Sequence, residues 1–137
     1  MAHSEAAPAR DLEALIRRGM SGETVDLAGA LLPAVVVVAS RGAVGPHFEG
    51  LIPLLYDRGG TPMLAAYTSL DRARSAAPEA VFALTMTGRD LVLRMPEGHG
   101  IVMNPGHDVG FELFPDAVHA FALRARETGN AAESSGA

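Results

Sequence analysis

The most constraining feature of the sequence is one stretch, residues 101–114. A short apolar run, Ile101 to Met103, ends at the turn signal Asn104-Pro105-Gly106. A second apolar run, Val109 to Leu113, leads into an amphipathic segment that begins at Pro115. Apolar runs separated by turn residues predict strands, and proline at the first position of an amphipathic segment is typical of a helix start. The stretch therefore predicts strand, turn, strand and helix in succession.

Helix and strand patterns precede this stretch without a regular alternation. The spacing of apolar residues predicts helices at 10–18 and 24–32, and possible hydroxyl caps at Thr68, Ser69 and Thr87 predict two short helices. Four consecutive valines, Val35 to Val38, indicate a central strand that is apolar on both faces. Three further strands are predicted at 51–56, 63–67 and 81–86.

Two local signals place the second and third strands. Pro53 lacks the backbone donor that a ladder needs, which predicts an edge position or a strand start for 51–56. The sequence Asp57-Arg58-Gly59-Gly60 predicts a hairpin turn into 63–67, so the first three strands are expected to be antiparallel in succession. This order of elements indicates the α+β class, with one mixed or antiparallel sheet of about five strands and flanking helices.

The chain length of 137 residues fits a single domain. The periodic patterns place this domain at residues 10–127. Residues 1–9 are mostly small, and residues 128–137 are mostly Gly, Ser, Ala and Glu without periodicity. We therefore expect a flexible N-terminus and a disordered tail.

Composition excludes several classes of function. The chain has no cysteine and no lysine, which rules out disulfides, thiolate nucleophiles, Schiff-base lysines and a phosphate-loop lysine. The net charge is -5 and the arginines are scattered, so nucleic acid is not an expected partner. The longest apolar stretch, Leu31 to Ala39, contains Pro33 and is far shorter than the roughly 20 residues that span a bilayer. Without a secretory signal pattern, no membrane association and a cytoplasmic location are expected.

Catalytic and cofactor motifs are not found in the sequence. It contains neither G-x-G-x-x-G, nor a phosphate loop, nor H-E-x-x-H, nor a nucleophile elbow around Ser21. Histidines in predicted loops lie close to acidic residues, which leaves a metal or acid-base site conceivable: His47 with Glu49, His99 with Glu97, and His107 with Asp108. Their spacing matches no metal-ligand pattern, so we expect no catalytic residue, no metal and no cofactor.

Two short motifs carry a resemblance to a known family. A strand ends in Tyr67-Thr68-Ser69 before a helix, and an apolar run followed by Asn104-Pro105-Gly106 precedes the last helix. This combination resembles the N-terminal domain of the SseB family, named for enhanced serine sensitivity, over residues 12–124. Tyr67 stands where the family usually has Phe. The resemblance implies an intracellular bacterial domain without catalytic activity, and it singles out the two motifs without giving them a role.

These motifs and their neighbours form the candidate binding surface. Because each motif follows a predicted strand, we expect the polar groups to contact a partner or ligand. The candidate residues are Tyr67, Thr68, Ser69, Asn104, Pro105, Gly106, His107 and Asp108. Local structure offers an alternative: Asn104 bonds its own backbone in a tight turn, and a hydroxyl of Thr68 or Ser69 caps the following helix.

Three functions follow as hypotheses. The first is a non-catalytic adaptor that binds a protein partner through the candidate surface. The second is a sensor of a small metabolite, for which the family name makes amino acids the first candidates and which requires a real pocket. The third is a metal-assisted hydrolase. An edge strand at 51–56 could also pair across a two-fold axis and give a homodimer.

Overall fold

A computed structural model describes the backbone at residues 9–78, 80 and 82–136, and side chains at 10–78, 80 and 82–127. Within these residues the chain forms five helices and six strands. In chain order they are α1 (Ala9–Met20), α2 (Leu27–Leu31), β1 (Val35–Ser40), β2 (Leu55–Arg58), β3 (Thr61–Tyr67), α3 (Leu70–Ala76), β4 (Phe82–Thr87), α4 (Gly88–Arg94), β5 (Gly100–Met103), β6 (Phe111–Leu113) and α5 (Pro115–Gly136).

The strands form one mixed sheet in the order β4-β1-β3-β5-β6, with β2 paired to β3. The β3–β5 pair is parallel and the other pairs are antiparallel. The sheet has six strands, one more than the number expected, and together with five helices it confirms the predicted α+β class.

Side-chain alternation along the strands builds a separate core on each face of the sheet. Val36, Val38 and Leu64 face α1, α2, α4 and α5 in the larger core. Val37, Met63 and Tyr67 face α3 in the smaller one. The valine run is therefore apolar on both faces, as predicted, because β1 lies between β4 and β3 with helices on each side. Each such side chain contributes about 1.5–3 kcal/mol when fully buried.

The hairpin was predicted correctly, but the bounds of its first strand were not. Gly59 and Gly60 form the turn with φ of 63° and 93°, and Asp57 Oδ1 accepts a hydrogen bond from Gly60 N at 3.1 Å. β2 begins at Leu55, later than the predicted start at residue 51, and continues through Arg58. Pro53 makes only an isolated bridge with Ser40, because it has no N–H to continue a ladder.

The predicted order of the first three strands also needs a correction. β2 pairs with Thr61 to Leu64, the first part of β3. The end of β3 pairs directly with β1, at Val37 with Tyr67 and Val38 with Ala66. β1 is thus antiparallel to β3 without β2 between them, because the short β2 leaves the end of β3 open.

Caps set the beginnings of three helices. Ser69 Oγ accepts from Arg72 N at 3.1 Å at the start of α3, and Thr87 Oγ1 accepts from Asp90 N at 3.1 Å at the start of α4. Of the two predicted caps for α3, Ser69 fills the role. α2 begins at Leu27, later than the predicted Thr24, because Asp26 is its cap and accepts from Gly29 N.

The predicted termini fall mostly outside the described side chains. Residues 1–8 are not described, and neither is Val81, the predicted first residue of the fourth strand. In its backbone, α5 continues as far as Gly136. The side chains of residues 128–137 lie outside the described part of the chain, so the flexible N-terminus and the disordered tail stay predictions. Among the described residues, no helix has the length and apolar character needed to cross a membrane.

Candidate functional site

The two predicted motifs meet at the carboxyl ends of β3 and β5. These neighbouring strands are parallel, with Ala66 opposite Met103. The carboxyl ends of parallel strands lie at the same edge of a sheet, so Thr68 and Asn104 emerge side by side. Asn104 N donates to the Ala66 carbonyl oxygen at 2.7 Å and extends the ladder by one bond. The structure therefore brings together residues that are far apart in the sequence.

Asn104 is buried at this edge, and its side chain holds neighbouring segments of the chain together. It is only 2% exposed and has a left-handed φ of 58°, which asparagine tolerates better than most residues. Its Oδ1 accepts from Thr68 N at 2.9 Å, and its Nδ2 donates to Thr68 Oγ1 at 3.0 Å and to the Val109 carbonyl oxygen at 2.8 Å. The side chain thus joins β3 to both ends of the loop after β5.

The loop itself is the tight turn that the sequence predicts. His107 N donates to the Asn104 carbonyl oxygen at 3.1 Å, with Pro105 and Gly106 between them. Gly106 has a φ of 85°, as the third residue of a type II turn requires. The tight turn of the predicted alternative is therefore present, but the Asn104 side chain binds Thr68 and the Val109 carbonyl oxygen, five residues on, instead of its own backbone.

A carboxylate from α1 completes the network. The Thr68 hydroxyl donates to Glu13 Oε2, and Arg72 binds the same carboxylate through Nε at 2.8 Å and Nη2 at 3.1 Å. The hydrogen bond from Arg72 lowers the pKa of Glu13 below its usual 4.5, which burial opposes and the Thr68 hydroxyl supports. The side chains of Arg72 and Glu13 are 24% and 20% exposed, so this bidentate pair is partly shielded from water.

His107 closes the network over α3. Its Nε2 lies 3.0 Å from the Arg72 carbonyl oxygen, and its Nδ1 lies 3.3 Å from Arg72 Nη1. A carbonyl oxygen only accepts and a guanidinium only donates, so the neutral tautomer with the proton on Nε2 satisfies both contacts. The ring also meets Tyr67 edge to face, with the centroids 6.4 Å apart. We call Glu13, Thr68, Arg72, Asn104 and His107 the strand-end junction.

The eight predicted residues divide into a buried and an accessible group. Tyr67, Thr68, Asn104 and Pro105 are buried, Ser69 and His107 are partly exposed, and Gly106 and Asp108 are exposed. Asp108 Oδ2 lies 3.8 Å from Arg17 Nη1, with the two side chains 79% and 55% exposed. We call Arg17, Ser69, Gly106, His107 and Asp108 the strand-end surface.

Sequence reasoning missed Glu13, Arg17 and Arg72. Glu13 and Arg17 lie in a helix at the beginning of the domain, and the pairing of Glu13 with Arg72 spans 59 positions. No spacing rule links residues so far apart. The only local sign is that Arg72 lies three positions after the cap Ser69, which places its amide at the cap but does not predict the direction of its side chain.

The histidines considered as metal ligands lie at two separate places. His107 belongs to the strand-end junction, whereas His47 and His99 line a cavity of about 370 Å³ on the larger core's side of the sheet. Within the described part of the chain, no group of three or more His, Asp or Glu side chains is placed to hold a metal ion.

Comparison with known protein families gives one match. The family model described as SseB protein N-terminal domain matches residues 12–120. This range contains the whole strand-end junction, most of α1, every described element from α2 to β6 and the beginning of α5. Comparison with curated proteins and with solved structures finds no match for the chain.

Proposed function

The chain belongs to the SseB N-terminal domain family, and we propose that it is a non-catalytic binding module that contacts a protein partner through the strand-end surface. The two motifs that resemble this family, Tyr67 to Ser69 and Asn104 to Gly106, both lead into that surface. The buried part of each motif supports the fold, and the accessible part is left for contact.

One observation carries the proposal: an exposed turn rests on a buried network whose polar groups bind one another. Thr68, Asn104, Glu13 and Arg72 direct hydrogen-bonding atoms at each other or at backbone groups. A loop on such a base keeps one conformation, so binding costs little ordering entropy. Because the polar groups of the junction are already engaged, the surface can supply shape and charge to a partner without losing internal bonds.

The exposed ion pair supports a charged partner. Asp108 and Arg17 are 3.8 Å apart and mostly exposed, and such a pair contributes little to the free energy of unfolding. Both groups can therefore exchange their contact for oppositely charged groups across an interface. Charges at the rim of an interface mainly raise the association rate, and this effect weakens with salt.

A matched pair of crosslinking positions tests the surface. A photo-crosslinking residue replaces Asp108 in one variant and Glu97, an exposed acidic residue before β5, in the other. We expect a discrete product in lysate of the source organism only from position 108. The captured protein is then purified, and Asp108→Arg should weaken its affinity about tenfold while Glu97→Arg leaves it unchanged. Equal products at both positions, or an unaffected affinity in Asp108→Arg, would contradict the proposal.

A second copy of the chain is another candidate partner. Among the described strands, β2 pairs only with β3, so its other edge is open. Leu55 in β2 and Ile52 before it are 51% and 54% exposed. Open strand edges with apolar side chains favour pairing between chains. Sedimentation velocity tests this: we expect a dimer in the wild type and a monomer in Leu55→Asp, and a monomeric wild type would exclude the homodimer.

A further inference from the structure

The cavity on the larger core's side of the sheet has the size and walls of a ligand site. Its volume of about 370 Å³ lies within the roughly 300–1,000 Å³ that small-molecule pockets occupy. Its walls are mostly apolar and come from the sheet, from the loop between β1 and β2, and from α4. The apolar wall includes Val38, Leu64, Met86, Leu91, Phe48 and Leu55.

The polar lining of this cavity combines one cation, Arg94, with two imidazoles. Arg94, His47 and His99 line it, and none of the described lining residues is acidic. The nearest acidic side chain in its loop, Glu49, turns back on the loop itself, where Oε1 accepts from His47 N at 2.9 Å. A concave apolar site with a guanidinium and no carboxylate in its lining favours a ligand with a negative charge at one end.

Arg94 is held so that its hydrogen-bond donors stay available. Its guanidinium carbon lies 4.3 Å from the centroid of the Phe48 ring. Such a cation–π contact holds the guanidinium over the ring without using the N–H groups along its edge as hydrogen-bond donors. Within the described part of the chain, Arg94 has neither an ion-pair partner nor a protein hydrogen-bond acceptor. A carboxylate can therefore bind both edge groups in the bidentate geometry that arginine prefers.

The backbone at Phe48 is a second, independent observation. Phe48 has a φ of 66°, a left-handed conformation that is uncommon for a bulky residue. Such a conformation costs free energy, and strained residues of this kind cluster at active sites, ligand sites and switch regions, where the surrounding structure maintains them. Here the strained residue supplies both a wall of the cavity and the ring on which Arg94 stacks.

We propose that this cavity binds a small carboxylate with an apolar body, with Arg94 pairing with the carboxylate and the apolar body lying against Leu64 and Met86. The site shares no residue with the strand-end surface, so either proposal can fail while the other stands. The lining of the cavity also restricts which metabolites a sensor of this kind would bind. An α-amino acid carries an ammonium group, and the described lining offers no carboxylate to pair with it.

Three probes with the same apolar chain separate these chemistries. Octanoate has the apolar body and the carboxylate, octanamide lacks the charge, and 2-aminooctanoate adds an ammonium group. Each probe is titrated into the full chain, and binding is measured by calorimetry and by amide NMR shifts. Octanoate should bind at least tenfold more tightly than octanamide or 2-aminooctanoate. The shifts should map to α4 and to the loop before β2. No binding of octanoate, or equal binding of octanamide, would overturn the proposal.

Two matched pairs of variants locate the site. Arg94→Gln should weaken octanoate binding about tenfold, while Arg74→Gln, the same change on α3, should leave it unchanged. His47→Asp places a carboxylate at the lining and should weaken binding several-fold more than His47→Asn, which is similar in size but neutral. His47 is exposed, so both variants are expected to fold. Unchanged affinity in Arg94→Gln would exclude the assigned role of this residue.

Discussion

The strand-end junction and the cavity both bring polar side chains together beside the same sheet. The two regions differ in what their polar groups bind. In the junction, Glu13, Thr68, Arg72 and Asn104 hydrogen-bond to one another. At the cavity, Arg94 stacks on Phe48 and its N–H groups have no protein acceptor among the described residues. The donors of the junction bind groups within the chain. The donors of Arg94 are available to a ligand.

This difference separates stability from recognition. A buried polar group that loses its partner keeps the full cost of its lost hydration, so any single deletion in the junction should be expensive. An exposed guanidinium that loses a stacking contact returns to water at little cost. The comparison therefore predicts that substitutions in the junction lower the free energy of unfolding much more than substitutions at the mouth of the cavity.

The largest loss of stability is expected for Asn104→Ala. The change leaves Thr68 N and the Val109 carbonyl oxygen without their partner, and alanine tolerates the left-handed φ of 58° less well. Together these effects should lower the free energy of unfolding by about 3–5 kcal/mol, measured by urea denaturation. Asn104→Gly removes the same bonds without the strain and should lose about 1 kcal/mol less. A loss below about 1 kcal/mol in Asn104→Ala would show that the junction does not depend on its bonds.

A smaller, pH-dependent loss is expected for Glu13→Gln. The folded state lowers the pKa of Glu13 below 4.5, so as the pH falls the unfolded state takes up its proton first. The stabilisation is complete above about pH 4.5 and is lost as the pH falls through the folded pKa. At pH 7 the variant should lose about 1–2 kcal/mol, because hydrogen bonds to a charged group become neutral ones.

Denaturation at several pH values provides the measurement and its control. Asp26 is a second carboxylate stabilised in the fold, since its hydrogen bonds from Arg124 and Gly29 lower its pKa to about 2. Below pH 4.5, the free energy of unfolding should fall less steeply with falling pH in Glu13→Gln than in the wild type. The variant should still show the part of this fall that comes from Asp26. An acid profile identical to that of the wild type would show that Glu13 is not stabilised by the junction.

The sequence predicted the parts of the fold that depend on local chemistry. Turn residues at Gly59-Gly60 and Pro105-Gly106 and caps at Ser69 and Thr87 lie where their sequence signals indicate, because each acts within four residues. The sequence also placed Asn104 in a turn and among the candidate binding residues. It could not predict the parallel pairing of β3 with β5 or the partners of Glu13, because these depend on how distant elements pack. The cavity was missed for the same reason, since His47, Arg94 and Val38 meet only in the folded chain.

Cap deletions should give equal losses in the two regions. Ser69→Ala removes the cap of α3 beside the junction, and Thr87→Ala removes the cap of α4 beside the cavity. A single cap contributes about 1 kcal/mol to the free energy of unfolding, and we expect this value for both variants by urea denaturation. A loss at Ser69 more than twice that at Thr87 would mean that the cap and the junction act as one unit, and the two regions would then differ in cooperativity as well as in hydrogen bonding.

The smallest effect is expected for Arg94→Gln, and its comparison with Arg72→Gln tests the difference between the regions most directly. The chemical change is the same in both variants. Arg72→Gln takes the guanidinium from Glu13 and should cost about 2 kcal/mol, whereas Arg94→Gln loses only the contact with Phe48 and should cost about 0.5 kcal/mol. If both losses were equally large in urea denaturation, Arg94 would be a structural residue, and a carboxylate could reach it only by competing with the fold. A near-zero loss joined to weaker octanoate binding would instead mean that this arginine acts on a ligand and contributes little to folding.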